Sequence, residues 1–314
     1  MAKKIKRLGL ICSSGGAYGA YGAGTIARLN RNYDVGIGIS TGSLIIPFAL
    51  LQEYELLRIA YTNINSYDIF DPKWYKPPPL TSKGHINILA VIITLLLNQK
   101  TIGTTRNLKI LIDEFFTIDI YNRLKDEYKE FIVLTQNYAQ IPSSIHSFSN
   151  LQESHESMKE FMFASSSPPM LGSLVKKSWE DEDNKFHVGL FTDGGVTLLL
   201  GLEEAINKNL DEVDVILHRT KPHIKYEGNK INNLMSNILT TINSMRYALE
   251  LQHLYEKIKI LNQNSIKVNL YWLPRKLSNN SLVFNKEEMT EWFEEGYDTA
   301  LNPDRIETFL PNQT

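Results

Sequence analysis

The residue with the clearest chemical potential is Ser40, at the centre of Gly38-Ile-Ser-Thr-Gly42. A strand-like segment precedes this G-x-S-x-G pentapeptide, and an apolar segment of helical spacing follows it. In that context the pattern is typical of a sharp strand-to-helix turn that exposes a nucleophilic serine, and glycines at 38 and 42 prevent a clash between helix and strand. We therefore predict that Ser40 attacks a carbonyl carbon. Pro47, beyond the first helical turn, predicts a kink in the helix that follows.

A glycine-rich segment, Ser13-Ser-Gly-Gly-Ala-Tyr-Gly19, directly follows the first strand-like stretch. Consecutive glycines let the backbone present bare N–H groups, which bind an anion such as a phosphate or the oxyanion of acyl transfer. The expected donors are the amides of Gly15, Gly16 and Ala17. A dinucleotide site at Gly22–Ala27 is disfavoured, because its first glycine lies far beyond the strand and the next strand ends without an acidic residue.

The third feature is Asp193-Gly-Gly195, after the strand-like segment 186–192. In isolation Asp-Gly is most often a simple turn. Gly194 and Gly195 are the glycines of that turn.

Strand-like and helix-like segments alternate along the chain, which predicts an α/β fold with a central, mostly parallel sheet between two helix layers. No internal repeat appears and no change of composition marks a linker, so we expect a single domain over residues 1–314. Within it, the motif core covers about 6–220 and a helical and strand extension about 221–310. The predicted strands are 6–13, 34–39, 130–136, 144–149, 187–192, 214–218 and 268–273; the predicted helices are 20–30, 43–57, 103–116, 153–163, 202–208, 232–260 and 286–301.

Three further segments lack catalytic residues. The apolar run Ile86–Leu97 is too short to cross a bilayer and is predicted to be a buried helix, with a membrane-touching flap as the alternative. The proline-rich segment 71–84 is predicted to be a loop, in which Trp74 and Tyr75 anchor the packing or touch a lipid interface. The acidic run 180–183 lacks the glycine of a calcium loop and is predicted to be a solvated hairpin tip.

Composition limits the partners. Lys and Arg number 33 against 35 Asp and Glu, a net charge of −2, which argues against nucleic acid as a partner. The lone Cys12 permits no internal disulfide. The apolar stretch after the basic N-terminus is too short for a signal peptide. We expect a cytoplasmic protein with peripheral, transient contact to membrane surfaces, no membrane-spanning helix, and no metal or cofactor; the oligomeric state stays open.

Taken together, SGGAYGAYGAG at 14–24, GISTG at 38–42 and DGG at 193–195 resemble the motifs of the patatin-like phospholipases. The segments 163–171, 203–206, 213–217 and 284–301 are also similar to that family. The resemblance implies a lipid acyl hydrolase with a Ser40–Asp193 dyad, a glycine-rich oxyanion loop and an acyl-enzyme intermediate. This chain departs from the family at Ser14, where glycine is usual, and at Tyr18, where arginine or lysine is common.

Two alternatives stay open. A Ser-His-Asp esterase shares the elbow and places its histidine after the acid, so the order of His218, His223 and His253 along the chain permits it. A catalytically silent lipid-binding protein of the same fold is the second alternative.

Overall fold

The computed structural model describes residues 6–71, 87–139, 142–169, 171–172, 174–180, 185–196, 200–222, 234–278 and 280–311. Its strands are β1 Leu8–Cys12, β2 Val35–Ile39, β3 Glu130–Asn137, β4 Ser144–Ser149, β5 Val175–Glu180, β6 Phe186–Asp193, β7 Glu212–Thr220, β8 Lys267–Leu273 and β9 Ile306–Phe309. Its helices are α1 Gly19–Leu29, α2 Thr41–Leu50, α3 Tyr54–Thr62, α4 Ser66–Ile69, α5 Ile88–Leu96, α6 Arg106–Phe115, α7 Ile118–Asp126, α8 His155–Ser165, α9 Leu202–Ile206, α10 Leu234–Gln263 and α11 Lys286–Thr299.

The strands form one sheet in the order β5-β6-β3-β2-β1-β7-β8-β9, with β4 also paired to β3. The five central strands, β3, β2, β1, β7 and β8, run parallel to one another. The flanking strands are antiparallel. Because the central strands are parallel, their carboxyl ends share one edge of the sheet, and the segments that follow β1 and β2 meet there.

Helices cover both faces of this sheet, as the predicted three-layer α/β/α architecture requires. On one face, Ile26 of α1, Phe48 of α2 and Trp292 of α11 belong to one buried apolar cluster. On the other face, Leu202 of α9 and Ile258 of α10 belong to a second. The α/β prediction is therefore confirmed. The strands β8 and β9 of the C-terminal extension join the same sheet as the motif core, and the single-domain assignment with its boundary near residue 220 stays a prediction.

The helix predicted over 43–57 is divided in the structure. α2 ends at Leu50, and α3 begins at Tyr54 after a turn in which Gln52 has a φ of 57°. Pro47 lies inside α2 and lacks the N–H that would extend the hydrogen-bond ladder. The apolar periodicity continued through this turn, because residues on both sides of it face the same core.

The prediction of a buried helix over Ile86–Leu97 is wrong in one respect. The segment does form a helix, α5, but only one side is buried, at Ala90 and Thr94. Leu95 is 73% and Leu96 79% exposed. No helix in the described ranges has both the length and the apolar composition needed to cross a membrane. Within the loop predicted over 71–84, residues 72–84 lie outside the described residues, as do 181–183 of the acidic run.

Candidate active site

Ser40 lies in a sharp turn between β2 and α2. Its backbone has a φ of 54° and a ψ of −127°, a strained conformation for a residue with a side chain. The turn also requires glycine on both sides. A Cβ on Gly38 would lie 2.5 Å from the backbone nitrogen of Ser43, and one on Gly42 would lie 2.3 Å from the carbonyl oxygen of Cys12. The predicted elbow geometry is therefore what the structure contains at this position.

Sheet register brings Asp193 to Ser40. Ile39, the last residue of β2, pairs with Leu134 of β3, and Asp193 at the end of β6 pairs with the next β3 residue, Thr135. β6 thus continues alongside β3 where β2 stops, which places the end of β6 beside the turn at Ser40. The Ser40 Oγ donates a hydrogen bond to the Asp193 Oδ2 at 2.8 Å.

The Asp193 carboxylate is held in a defined orientation. Its Oδ1 accepts a hydrogen bond from the Gly195 N–H at 2.7 Å, in the short 3₁₀ helix Gly194–Val196. Its Oδ2 is the atom bonded to Ser40, so each carboxylate oxygen has a different partner. Both Ser40 and Asp193 are 8% exposed. A desolvated carboxylate in direct contact with a serine hydroxyl is arranged to accept its proton.

The loop after β1 supplies two backbone amides close to the site. No described residue accepts a hydrogen bond from the N–H of Gly15 or Gly16, and both residues are partly exposed. Gly16 has a φ of 53°, and a Cβ there would lie 2.3 Å from the carbonyl oxygen of Ser281. Gly16 and Ser40 line the same cavity. Among the described residues, both N–H groups are thus unused, and that of Gly16 belongs to a residue of the cavity wall.

The third expected donor, the Ala17 N–H, has a hydrogen-bond partner in this structure. The Ala17 N–H donates to the carbonyl oxygen of Ser281 at 2.7 Å, so it is already used. The adjacent Tyr18 donates its hydroxyl hydrogen bond to the Ser278 carbonyl at 2.8 Å. Tyr18 thus joins the glycine loop to the segment before α11. It occupies the position where a basic residue is common in the patatin-like phospholipases.

An apolar cavity opens at Ser40. Its volume is about 810 Å³ when the open space at its mouth is included. Ser40 and Ser166 are polar members of its lining, whereas most of the wall is aliphatic or aromatic, with Leu44, Phe48, Ile64, Leu108, Ile112 and Phe116 among its residues. The shape and chemistry of this cavity suit a hydrocarbon chain attached to a group that reacts at Ser40.

His218, the histidine that the Ser-His-Asp alternative needs most, lies beneath the glycine loop. Its Nδ1 is 2.8 Å from the carbonyl oxygen of Ser13, and its backbone N–H donates to the Ser13 Oγ at 2.9 Å. Because a carbonyl oxygen only accepts, Nδ1 carries the proton. The ring fills the space that Gly15 and Gly22 leave open. The Ser40 hydroxyl bonds directly to Asp193, with no imidazole between them. This arrangement favours a structural role for His218, in which it holds the glycine loop through Ser13, over a role in a triad.

Burial of His218 predicts a loss of stability in acid. Burial lowers the pKa of its imidazole from 6.5 to about 4, because the charged form would be desolvated. Nε2 is buried without a hydrogen-bond partner among the described residues. Between pH 6.5 and 4 the unfolded chain therefore binds a proton that the folded protein does not bind. We expect the free energy of unfolding to fall by up to about 3 kcal/mol as the pH falls through this range.

Denaturant unfolding of the wild type and of His218→Asn at pH 7, 5.5 and 4.5 measures this effect. The asparagine keeps an N–H donor for Ser13 and cannot become charged, so its stability should decline less over the same range. Parallel declines in the two proteins would show that another group is responsible.

Several residues that contact the site were not predicted from the sequence. Ser43, Ser165 and Ser166 hydrogen bond to the backbone of Ser40. The only feature of the sequence that pointed to them was the serine run 165–167, which lies in a segment similar to the patatin-like phospholipases. Within the part of the chain that the structure describes, no cluster of three or more His, Cys, Asp or Glu side chains could hold a metal ion.

Comparison with known proteins identifies the family. Residues 10–206 match the family described as patatin-like phospholipase, and this range contains the glycine loop, the elbow and Asp193. No curated protein matches the chain. Among solved structures, VipD from Legionella pneumophila is similar to 97% of this chain, and the match covers 68% of VipD, with 11% identity and a TM-score of 0.45. As the family match covers well over half of its length, the chain belongs to the patatin-like phospholipase family.

Proposed function

We propose that this protein is a serine-dependent lipid acyl hydrolase that cleaves carboxylic ester bonds through a Ser40–Asp193 dyad. The family to which it belongs is one of lipid acyl hydrolases. The observation that carries the proposal is the 2.8 Å hydrogen bond from the Ser40 Oγ to the Asp193 Oδ2 at an apolar cavity. A nucleophile, a base in direct contact with it and a site for a hydrocarbon chain are the parts that this reaction needs.

In the acylation step the Ser40 Oγ attacks the ester carbonyl carbon while its proton passes to Asp193. A new bond joins Oγ to that carbon, and the carbonyl oxygen becomes an oxyanion. When the tetrahedral intermediate collapses, the bond between the carbon and the leaving alkoxide oxygen breaks, and that oxygen takes the proton from Asp193. The products are an acyl-Ser40 enzyme and an alcohol.

The oxyanion is stabilised by groups that are positioned before the substrate arrives. The amides of Gly15 and Gly16 are its proposed donors, in place of the set of three expected from the sequence. α2 begins directly after Ser40, so the positive end of its dipole also faces the developing charge. Removing one such donor from an oxyanion hole typically lowers kcat by ~10²–10³.

In the deacylation step a water molecule gives a proton to Asp193 and its oxygen attacks the acyl carbon. Collapse of the second tetrahedral intermediate breaks the bond between that carbon and the Ser40 Oγ, which takes back the proton. A carboxylic acid is released and the dyad is restored. Every proton in the cycle moves among water, Ser40, Asp193 and the leaving alcohol, so the residues of the chain suffice for this sequence.

The proposed contact with a lipid surface is made by α5. Asp71 pairs with Thr104 in an antiparallel bridge, so the two ends of the segment that contains α5 lie side by side. The residues Phe70 and Leu108, on either side of that segment, line the cavity. The exposed apolar residues of α5 therefore belong to a segment whose two ends adjoin the cavity wall. Contact of α5 with a bilayer would bring lipid close to the site.

We expect the double variant Leu95→Asp/Leu96→Asp to hydrolyse esters in phospholipid vesicles at least about tenfold more slowly than the wild type, since two charges replace apolar area that the membrane would bury. Hydrolysis of a soluble short-chain ester should stay within about twofold, because both side chains are exposed and neither is among the residues that line the cavity at Ser40. The matched control is Tyr128→Asp, an exposed apolar position just before β3, at the opposite edge of the sheet. Equal losses on both substrates would contradict the role of α5.

Incubation with a mixed lipid extract tests the function itself. We expect the wild type to release free fatty acids and the matching deacylated lipids, detected by mass spectrometry, and Ser40→Ala to release none above background. The identity of the products separates phospholipid, lysophospholipid and neutral-lipid substrates. An extract unchanged by the wild type would remove the support for a lipid substrate.

A further inference from the structure

The backbone of Ser40 is held by three serine hydroxyls. Its N–H donates to the Ser165 Oγ at 2.9 Å. Its carbonyl oxygen accepts from the Ser43 Oγ at 2.7 Å and from the Ser166 Oγ at 3.1 Å. All four residues are buried. Both backbone polar groups of Ser40 are thus bound by serine side chains, and its carbonyl oxygen also accepts the Ser43 N–H at 2.9 Å.

Ser165 has the most specific position of the three. It is the last residue of α8, and its hydroxyl donates to the carbonyl oxygen of Leu134 at 2.7 Å. With its single proton used in that bond, the oxygen can only accept from Ser40. The hydroxyl therefore joins the β3 backbone to the elbow. A Ser40 N–H without this acceptor would be a buried, unsatisfied donor at the start of a helix.

The segment 165–167, at the end of α8, also binds the strand that ends in Asp193. The carbonyl oxygen of Ser167 accepts the Asp193 N–H at 3.1 Å and the Thr192 Oγ1 hydrogen bond at 2.9 Å. Residues 165–167 therefore contact the backbone of both members of the dyad. Ser40 and Asp193 lie 153 positions apart in the chain. Contacts of one short segment with the backbone of both residues therefore help to fix the distance between them.

We propose that Ser165 is a positioning residue, whose hydroxyl holds the Ser40 backbone in the strained conformation that directs Oγ to Asp193. This proposal rests on the proposed function for its effect on turnover and on the hydrogen-bond geometry for its effect on the elbow. Ser165 contacts the peptide nitrogen of Ser40 and acts through it. Its loss should reduce turnover more than substrate binding, since the cavity wall is unchanged.

The test compares Ser165→Ala with Ser149→Ala. Ser149 is a buried serine at the end of β4. Its Oγ donates to the Glu130 Oε1 and accepts the Leu151 N–H, so its removal deletes buried hydrogen bonds without touching either member of the dyad. For Ser165→Ala we expect kcat on a soluble ester to fall by about 10- to 100-fold, with KM within about twofold. Ser149→Ala should retain kcat within about threefold of the wild type.

Hydrogen exchange at the Ser40 amide gives a readout that does not depend on activity. Resolved by mass spectrometry with fragmentation, this amide should exchange at least about tenfold faster in Ser165→Ala than in Ser149→Ala, while the amides of β7 stay unchanged. Unchanged exchange at Ser40, an increase shared by β7, or equal kcat in the two variants would overturn the proposal. Failure of the proposed function would appear separately, as activity that survives Ser40→Ala, and the exchange data would still decide the role of Ser165.

Discussion

Replacement of Ser40 by alanine should lower kcat for ester hydrolysis by at least about 10⁴-fold, because no covalent intermediate can then form. The residual rate would come from the proposed oxyanion donors, the amides of Gly15 and Gly16, and from binding in the cavity, which Ser40→Ala leaves in place. Alanine also removes only one oxygen from a buried site, so the fold should persist. Steady-state hydrolysis of a chromogenic short-chain ester, with circular dichroism to check folding, measures both expectations.

Ser178→Ala is the matched control for that experiment, because Ser178 is an exposed serine on β5, a strand at the edge of the sheet. It should leave kcat unchanged. A folded Ser40→Ala protein that keeps more than about a tenth of wild-type activity would mean that another residue is the nucleophile.

Replacement of Asp193 by asparagine should lower kcat by about 10³- to 10⁴-fold, with KM changed by less than about threefold. Asparagine has nearly the same size and keeps an oxygen that can accept from Gly195, but an amide cannot take the proton of Ser40. The geometry of the site is therefore preserved while its base is removed. Kinetics of Asp193→Asn and of the double variant Ser40→Ala/Asp193→Asn measure the effect.

Because a nucleophile and its base act as a unit, the double variant should be no slower than Ser40→Ala alone. Activity within tenfold of the wild type in Asp193→Asn would contradict its role as the base. His218→Asn provides the comparison with a triad: it should retain most of its activity at pH 7, because it keeps a donor for the Ser13 carbonyl. A folded His218→Asn protein as inactive as Asp193→Asn would favour a Ser-His-Asp mechanism.

The approach of Ser40 to Asp193 was expected only from the resemblance to the patatin-like phospholipases, whereas the turn at Ser40 was predictable from a motif whose geometry is local. The G-x-S-x-G pattern needs only a strand before it and a helix after it to form the turn. The availability of the Ala17 amide was not predictable, because it depends on a residue far along the chain. The carbonyl of Ser281, which the sequence does not connect with the glycine loop, approaches that amide in the folded protein.

Edge strands escaped the sequence analysis for a different reason. β5 has the sequence VKKSWE, and β9 is only four residues long. Edge strands carry charges and are short, which limits unwanted pairing and also weakens the alternation of apolar residues that identifies a strand. The exposure of α5 was not predicted, because an apolar helix has the same sequence pattern whether it packs inside the protein or against another apolar surface.

The contacts of Ser165 and Ser166 with Ser40 illustrate what a single sequence leaves out. A serine at the end of a helix is ordinarily a terminating residue that bonds to its own backbone. Only the folding of α8 across the end of β3 brings these hydroxyls to the elbow. Residue type and spacing thus located the reacting groups, whereas the groups that orient them required the tertiary structure.

The most direct test of a Ser40–Asp193 dyad is labelling of the intact protein with a fluorophosphonate, which reacts with an activated serine. The labelled residue is identified by peptide mass spectrometry, and the rate is compared between the wild type and Asp193→Asn. We expect one label per chain at Ser40, formed at least about 10²-fold more slowly in Asp193→Asn. A folded wild-type protein that takes up no label, or takes it up at another serine, would contradict the assignment.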